Sequence, residues 1–535
     1  MKHLQNIFSK PWIYIFIICI GISLKFYRLD YKIMWYDEIA TVLQITGTDS
    51  ALEIDSSKLN EIAPISHYTG LLKNPKINLA AEYKAQLHNM NLNPLHYMLL
   101  SIWYRIVGDS FVDYRLFSVF IFLLTLPFLF GLSNELFRSK TAGYIAVSLF
   151  SVSPFIHYFA QEARYYILWA FLLVAIHYFL IKAINHKKTK WWIGYSIFAI
   201  LSLYASTLSG FIIFEHLLFI WFFKKEFRVK FVVILGIIAL VYSPWFYYVY
   251  MHKDEVYSSL SWHKFEGIPF WAPFLGLVLG LVRTFSFYEN YTLFWDDVFH
   301  NITTSMIIET VFNLIILAVI IIAIIHLIKK EKRETAWFIL LILLPGLVFF
   351  WSLDLIRHAI TTHWWRYYIF NTIPIILLLT YIISKFIDTK KVLIIALYLG
   401  IISISIFSIY TISKYRYWYI GGNWEEEFVD NAELLSQAKK PLMITDFTWM
   451  NSPYEGPMHC MEIMANCTSK NIDVLRVTAD KQNLETIIPP NVYSDIYVIN
   501  ASDKLIENLK TQFGQRIQIF PGVQGPPRWK IQLKN

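Results

Sequence analysis

Charge is what this chain lacks most. Asp, Glu, Lys and Arg make up 16% of its 535 residues, whereas soluble domains lie nearer a quarter. So few charges cannot cover a large water-exposed surface, which excludes a wholly soluble protein. Cysteine is also scarce: Cys19, Cys460 and Cys467. Their spacing makes neither a zinc pattern nor a disulfide framework. Cys460 and Cys467 are close enough in sequence to pair in an oxidising compartment, or to stay as two thiols, and both readings remain open. Tandem repeats, low-complexity segments and lipidation boxes are missing. The net charge of +8 invites a nucleic-acid reading, but the basic residues sit in short loops between apolar runs. No aromatic-interleaved basic groove pattern exists, so no nucleic-acid partner is expected.

What is abundant is apolar. The chain is 56% hydrophobic and 18% aromatic, with mean hydropathy +0.45. The apolar residues fall into runs of roughly 20, the length that crosses a hydrocarbon core of about 30 Å. A run such as "LIILAVIIIAIIHLI" shows no period of two, which argues against a β-barrel. The expected spans are 12–29, 113–133, 141–159, 166–184, 191–206, 209–224, 229–250, 306–328, 335–353, 368–387 and 391–412, eleven in all. Segments 1–11, "NELFRSK", "NHKKTK", "KKEFRVK", "KKEKRE" and "DTKK" hold seventeen Lys and Arg. The alternate short loops 160–165, 205–208 and 354–367 hold three: Arg164, Arg357 and Arg366. Basic loops stay in the cytoplasm, so the N-terminus is expected inside and the C-terminus outside. The first span reads as a retained anchor, because no small-residue cleavage site follows it. Parity then makes 93–108 an interfacial or re-entrant helix on the outer side, and the same reading extends to 267–287.

After Ile412 the composition changes. "PLMITDF", "IDVLRVTA", "SDIYVIN" and "QRIQIF" read as buried strands, and "WEEEFVDNAELLSQA" and "SDKLIENLKTQF" as helices. The expected organisation is a transmembrane domain over 1–412, with outer loops 30–112 and 251–305, and an extracytoplasmic α/β domain over 413–535. The protein is thus expected in the plasma or inner membrane as a multi-pass protein.

On this topology several polar clusters share the outer face. "WYDE" carries Asp37 and Glu38 just after the first span. "NPLHY" carries His96, and "VDYR" carries Arg115 at the mouth of the second span. "SPFIHYFAQEARYYIL" carries His157, Gln161, Glu162, Arg164 and Tyr165 between two spans. "HWWRYYIF" carries His363, Arg366 and Tyr367 before a late span. Ionisable groups at membrane depth are costly and usually functional. Plainer readings stand beside each: belt anchoring for His157 and Tyr367, a helix cap or solvated acid for Asp37, an ion pair for Glu162 with Arg164, and packing for His96.

These motifs, in this order, resemble the C-type glycosyltransferase superfold over roughly residues 10–390. They are most similar to the bacterial relatives of protein O-mannosyltransferases and to the lipid A aminoarabinose transferases. Each motif alone is weak; the ordered series "DE", "NPLHY", "R", "SP…QEARYY" and "RY…P" (ending at Pro374) is specific. The resemblance implies an inverting transferase. It would move a sugar from a polyprenyl-phosphate carrier in the membrane to a glycan, lipid or protein acceptor on the outer side. Two departures matter: the aminoarabinose transferases carry a lysine before the proline of the interfacial helix, where this chain has Asn93, and the C-terminal domain carries no family resemblance, so acceptor identity does not carry over.

The chemistry fits these residues on its own terms. No DxD triplet is present, so the usual metal signature for nucleotide sugars is missing. An inverting transfer needs one carboxylate to take the acceptor's proton; Asp37 is the candidate, with Glu38 and Glu162 as the other acids. The leaving phosphate needs cations, and arginine's fork suits it; Arg164, Arg366 and Arg115 are candidates, with Tyr367 beside them. His96, Gln161, Tyr165 and His363 are candidate substrate contacts. No cofactor is required. A divalent ion held by Asp37, Glu38 and Glu162 is the alternative, although adjacent acids on a loop make a poor cage. Two rival functions remain: a transporter or flippase of lipid-linked sugars, which commonly shows internal repeats, and an oligosaccharide polymerase or ligase, which would not need the early Asp-Glu pair.

Overall fold

The computed structural model describes residues 10–48, 58–73, 82, 85, 87, 93–254, 269–286, 304–359, 361–387, 389, 391–418, 424–447, 455–481, 483–520 and 528–531. They divide into two compact units: Met1–Leu29, Met90–Leu99 and Val112–Lys414 form one, and Asp30–Asn89, Leu100–Phe111 and Tyr415–Asn535 the other. The flanks of the expected outer helix, 267–268 and 287, lie outside the described residues.

The first unit is helical. Helices occupy all eleven apolar runs, among them Trp12–Phe26, Phe111–Phe137, Tyr166–His186, Ile369–Phe386 and Lys391–Ile412. Among the described residues seven are long and apolar enough to cross a membrane, or eight if Lys140–Val152 and Pro154–Ala160, bent by 63° at their junction, count as one. This is a polytopic α-helical membrane protein. The bend has a local cause. Ser153 caps the second half through the Ile156 N–H, and Pro154 takes the first helical position, where its missing N–H costs nothing. The helix Trp12–Phe26 packs on Lys140–Val152. A Cβ on Gly21 would stand 2.6 Å from the Ser151 side chain, so this crossing needs glycine. The helix Leu95–Val107 has 13 residues, about 20 Å of rise, too short for the bilayer. Met98, Ile102 and Ile106 are exposed on one face of it, while His96, Tyr97, Leu100 and Tyr104 are buried. That is the division expected of a helix lying in the interface. The segment 267–287 contains the 11-residue helix Ala272–Val282.

The second unit is built on a six-stranded sheet. Its strands are β1 (Ile62–Pro64), β2 (Pro441–Asp446), β3 (Asp473–Val477), β4 (Asp495–Val498), β5 (Ile517–Phe520) and β6 (Arg528–Ile531), in the order β1-β3-β2-β4-β6-β5. β2 runs parallel to β3 and β4, and β1 is antiparallel to β3. Every residue of β2 is buried, as in a parallel sheet covered on both faces. Leu442, Ile444, Leu475, Val477, Ile496 and Val498 pack with Leu505, Leu509 and Phe513 of the helix Asp503–Phe513. Residues after the first membrane helix therefore supply an edge strand to the C-terminal sheet.

Cys460 and Cys467 are both thiols. Cys460 lies on the helix Glu455–Asn466 and Cys467 follows its last residue, seven positions on and about 10 Å of rise away, beyond the reach of a disulfide. Cys460 instead bonds Thr445 Oγ1, and Cys467 donates to the Ile463 carbonyl.

Candidate active site

In the first unit, the hairpin after Ala160 is tied down before it offers any chemistry. Gln161 Nε2 donates to the carbonyls of Lys25 (3.2 Å) and Tyr27 (2.8 Å) at the end of the first helix. Ser118 Oγ donates to the Glu162 carbonyl at 2.5 Å. Arg115 Nη1 donates to the Leu29 carbonyl at 2.9 Å, so this arginine braces the same helix end. His157, Gln161, Glu162 and Arg164 are all buried. Lys25, which the sequence reading passed over, is buried too; its Nζ donates to the Ser151 carbonyl and lies 5.0 Å from the Phe122 ring centroid.

Arg164 and Arg366 converge on one aromatic cluster. The Arg164 guanidinium lies 5.9 Å from the Tyr165 ring and 6.0 Å from the Tyr166 ring, and its Nη1 donates to Tyr97 Oη at 3.3 Å. Arg366 Nη1 donates to Tyr166 Oη at 3.1 Å. Burial pushes the Tyr165 phenol well above its ordinary value, Tyr166 and Tyr367 add to this, and the cations of Arg164 and Arg366 oppose it. The phenol is therefore a neutral hydrogen-bonding group. Tyr367 stacks on Phe350 with centroids 5.5 Å apart. His96 belongs to the same neighbourhood: burial, then the Arg164 cation, lower it to about 3 against the Ala163 carbonyl's opposite pull. It is a neutral imidazole at physiological pH.

Arg366 is placed by a turn that one acid organises. Asp354 accepts from the Thr361 N–H (2.8 Å), the Thr362 N–H (2.7 Å) and Thr362 Oγ1 (2.7 Å). Tyr368 Oη then donates to the Thr362 carbonyl at 2.8 Å. A Cβ on Gly280 would fall 2.3 Å from the Tyr368 ring, so glycine admits the ring here. His363 sits on this turn, lowered to about 4 by burial and by Arg283. Asn93 is fully used as a brace: Nδ2 donates to the Leu203 carbonyl, and Oδ1 accepts from Thr207 Oγ1 and Trp245 Nε1.

Asp37 and Glu38 belong to the second unit, in the first turn of the helix Tyr36–Thr46, where the helix dipole favours acids. The preceding segment is held by backbone: Ile33 N–H donates to the Arg416 carbonyl, Trp418 Nε1 to the Ile33 carbonyl, and Lys32 Nζ to the carbonyls of Tyr415 and Tyr417. The helix Glu455–Asn466 packs against it. Asn466 makes two 2.8 Å bonds to Met34, accepting from its N–H and donating to its carbonyl. On the same helix Glu462 is buried, with His459 Nδ1 3.3 Å from its Oε2. Burial, then the neighbouring Asp37 and Glu38 carboxylates, push Glu462 well above the ordinary range, while the Tyr36 N–H pulls it down. The sequence reading missed Glu462. Its signal was a polar i, i+3 pair, His459 and Glu462, inside the apolar stretch "MHCMEIMAN".

The structure thus gathers Arg164, Arg366, Tyr165, Tyr367 and His96 in one unit, and Asp37 and Glu38 with Glu462 in the other; Glu162 belongs to the first. Among the described residues no group of three or more His, Cys, Asp or Glu side chains is placed to hold a metal ion.

Comparison with known proteins agrees with this architecture. ArnT from Cupriavidus metallidurans in the apo state superposes with a TM-score of 0.52 at 11% identity, covering 97% of each chain. The same protein bound to undecaprenyl phosphate gives 0.49 at 11% identity, again over 97% of each. The Archaeoglobus fulgidus oligosaccharyltransferase, tethered by a disulfide to an acceptor peptide containing the NVT sequon, gives 0.46 at 12% identity. That match covers 88% of this chain but 64% of the oligosaccharyltransferase, so the chain spans less than two thirds of its length. No curated protein sequence matches. The fold is that of the C-type membrane glycosyltransferases. Residues 91–248 match the profile of the dolichyl-phosphate-mannose-protein mannosyltransferase family. That profile covers less than half of the chain, so it marks a similarity to the family, and the fold agrees with it.

Proposed function

We propose that this protein transfers a hexosyl or pentosyl group from a polyprenyl-phosphate carrier to an acceptor at the outer face of the membrane, with inversion. The observation that carries this reading is the convergence of the Arg164 and Arg366 guanidiniums on Tyr166, which is buried, with Tyr165 beside it. Two guanidiniums, Arg164 buried and Arg366 half-buried, suit a phosphate whose negative charge grows as its bond to the sugar breaks. The family profile names a donor of this class, dolichyl-phosphate mannose, and the lysine asymmetry supports a cytoplasmic N-terminus and an extracytoplasmic C-terminal region.

The acceptor hydroxyl oxygen attacks the anomeric carbon, and its proton passes to the Asp37 carboxylate. The bond from that carbon to the phosphate oxygen breaks, and its electron pair stays on the phosphate, held by Arg164 and Arg366. The products are the glycosylated acceptor and the polyprenyl phosphate.

The test is turnover by the purified protein in lipid nanodiscs, supplied with synthetic polyprenyl-phosphate sugars and a cell-envelope extract as acceptor source. Release of polyprenyl phosphate coupled to acceptor labelling is expected. Transport of intact donor across a sealed vesicle, with no cleavage of the sugar–phosphate bond, would replace this reading with the flippase.

A further inference from the structure

We propose that the helical unit holds an anionic phospholipid at the end opposite its arginine cluster, with the phosphate on Lys332 and Arg333 and an acyl chain in the groove beside them. The site lies within the first unit and takes no part in the transfer chemistry.

The helices Tyr166–His186 and Ile369–Phe386 run from the Arg164–Arg366 neighbourhood to a cavity of about 380 Å³. Ile184 of the first helix lines it, about 27 Å of rise from Tyr166. The floor is apolar: Ile181, Ile184, Phe219 and Phe338 are all buried. The wall is charged. Each of its carboxylates already has a lysine: Glu135 meets Lys182 at 2.9 Å, Glu331 meets Lys385 at 2.7 Å, and Glu334 meets Lys224 at 2.7 Å. Two further cations on the wall, Arg138 and Lys332, are exposed and make no ion pair with any described residue. The wall therefore keeps a surplus of positive charge that the chain does not neutralise.

A second hollow, about 370 Å³, adjoins the first. Leu218, Phe222, Phe223, Trp337 and Leu341 line it, and Arg333 supplies its charge. Phe222 is 63% exposed and Trp337 42%, so an apolar face is open where the bilayer would lie. The two hollows share their borders. Lys224 faces the first and Phe223 the second; Lys332 and Glu334 face the first and Arg333 the second. The Arg333 guanidinium lies 5.6 Å from the Phe223 ring, at the junction.

A cationic rim that continues as an apolar groove fits an amphiphile. A soluble anion would use the rim and leave the groove empty. The cations fall in "NELFRSK", "KKEFRVK" and "KKEKRE", the loops that the lysine asymmetry assigns to the cytoplasm. The lipid leaflet on that side carries anionic lipids, and basic pockets between membrane helices take their head groups. A zwitterionic head group brings its own ammonium and gains less from the surplus charge.

The experiment titrates full-length protein in detergent with dioleoylphosphatidylglycerol or dioleoylphosphatidylcholine and reads bound lipid by native mass spectrometry. Phosphatidylglycerol is expected to bind about ten-fold tighter. The double variant Lys332→Gln, Arg333→Gln should weaken it about ten- to a hundred-fold, the scale of lost charge-assisted contacts, and leave phosphatidylcholine nearly unchanged. Leu218→Trp fills the groove with every charge intact and should weaken both lipids. The control Lys188→Gln, Lys230→Gln removes the same charge from exposed loop positions and should change affinity less than about two-fold. Equal loss in the control pair overturns the site, because diffuse charge would then explain the binding. Equal affinity for the two lipids overturns it as well. Unchanged binding in a folded Leu218→Trp refutes the groove. Displacement of the lipid by an equal concentration of glycerol 3-phosphate makes the ligand a soluble phosphate ester and overturns the phospholipid. Unfolding midpoints without lipid report folding, and the exposed pair Lys332 and Arg333 decides the matter if Leu218→Trp does not fold. Failure of Asp37→Asn to lose turnover would sink the proposed base and leave these lipid affinities untouched.

Discussion

Asp354→Ala tests whether Arg366, proposed to hold the donor phosphate, is positioned by the turn beneath it. The substitution removes one acceptor and three hydrogen bonds, at 2.7–2.8 Å, to Thr361 and Thr362. Asp354, Thr361 and Thr362 are all buried, so water does not readily replace the lost partner. Each bond contributes about 0.5–1.5 kcal/mol net, and a buried N–H left without a partner adds about 1–3 kcal/mol. The turn is therefore expected to lose about 3–5 kcal/mol after partial relaxation. Arg366 lies four residues beyond Thr362, and the Tyr368 hydroxyl bonds the Thr362 carbonyl, so slack in the turn reaches the guanidinium. Losing one charge-assisted contact of about 1.5–3 kcal/mol corresponds to donor binding weaker by about 10- to 150-fold. Equilibrium binding of a non-transferable polyprenyl-phosphate sugar to nanodisc-embedded protein reads this directly, with thermal unfolding in parallel. Asp354→Asn keeps one acceptor oxygen and should fall between wild type and Asp354→Ala. Wild-type affinity and melting in Asp354→Ala would show that the turn does not need Asp354, and the chain of placement from Asp354 to Arg366 would be refuted.

Asp37→Asn should lower turnover by about 10²–10⁴, the usual cost of losing a general base, with donor affinity nearly unchanged; Glu38→Gln should be milder, and the opposite ranking would exchange their roles. Arg164→Ala and Arg366→Ala should each weaken donor binding and rate together, and Arg366→Lys should recover only part, because an ammonium lacks the fork; donor titrations check this. His96 carries a sign that stability can report. Its folded value is about 3 against an ordinary 6.5. The unfolded chain takes up its proton first as pH falls, so stability is present above about 6.5 and is lost as pH falls from there toward 3. Unfolding midpoints between pH 7 and 4 should therefore drop less steeply in His96→Gln than in wild type.

Hydropathy made the helical unit legible, because a run of about 20 apolar residues has few other fates. Strands β2 to β5 were legible for a related reason: "PLMITD" and "DIYV" are short β-branched or aromatic runs between turn residues. β1 was not. Its three residues, Ile62–Pro64, pair with Leu475–Asp473, and no local pattern announces a partner so distant in sequence. β6 hid because "RWKI" is four residues long and carries two cations, too short for its alternation to stand out. The cysteine question turned on one helix, Glu455–Asn466, that no sequence pattern announced: it carries Cys460 and leaves Cys467 past its far end. The site shows the same limit. Arg164 and Arg366 were found because charges are rare here and stand out. Their meeting at Tyr166 depends on the Asp354 turn, which no spacing rule encodes. Glu462 was passed over because a lone acid in a water-exposed region looks ordinary until its burial is known.

The two clusters follow one electrostatic rule with opposite sign. Beside the Arg164 cation, burial leaves a histidine uncharged; beside the carboxylates of Asp37 and Glu38, burial leaves a glutamic acid uncharged. In each unit the group that could have added a like charge is held neutral, and it keeps its hydrogen-bonding capacity. A protonated His96 would repel Arg164 and compete with it for an anion. An ionised Glu462 would repel Asp37 and Glu38. The reaction proposed for this protein has two ends that differ in charge: a phosphate that becomes more negative and a hydroxyl that must lose a proton. An arginine cluster without added histidine charge serves the first, and a carboxylate pair beside a neutral acid serves the second. Substitutions that restore the missing charge are therefore more informative than those that delete a contact. His96→Lys should disturb donor binding more than His96→Gln, although both remove the imidazole. If the two variants bound donor equally well, the neutrality of His96 would have no bearing on the phosphate, and the arginines would have to be judged on their contacts alone.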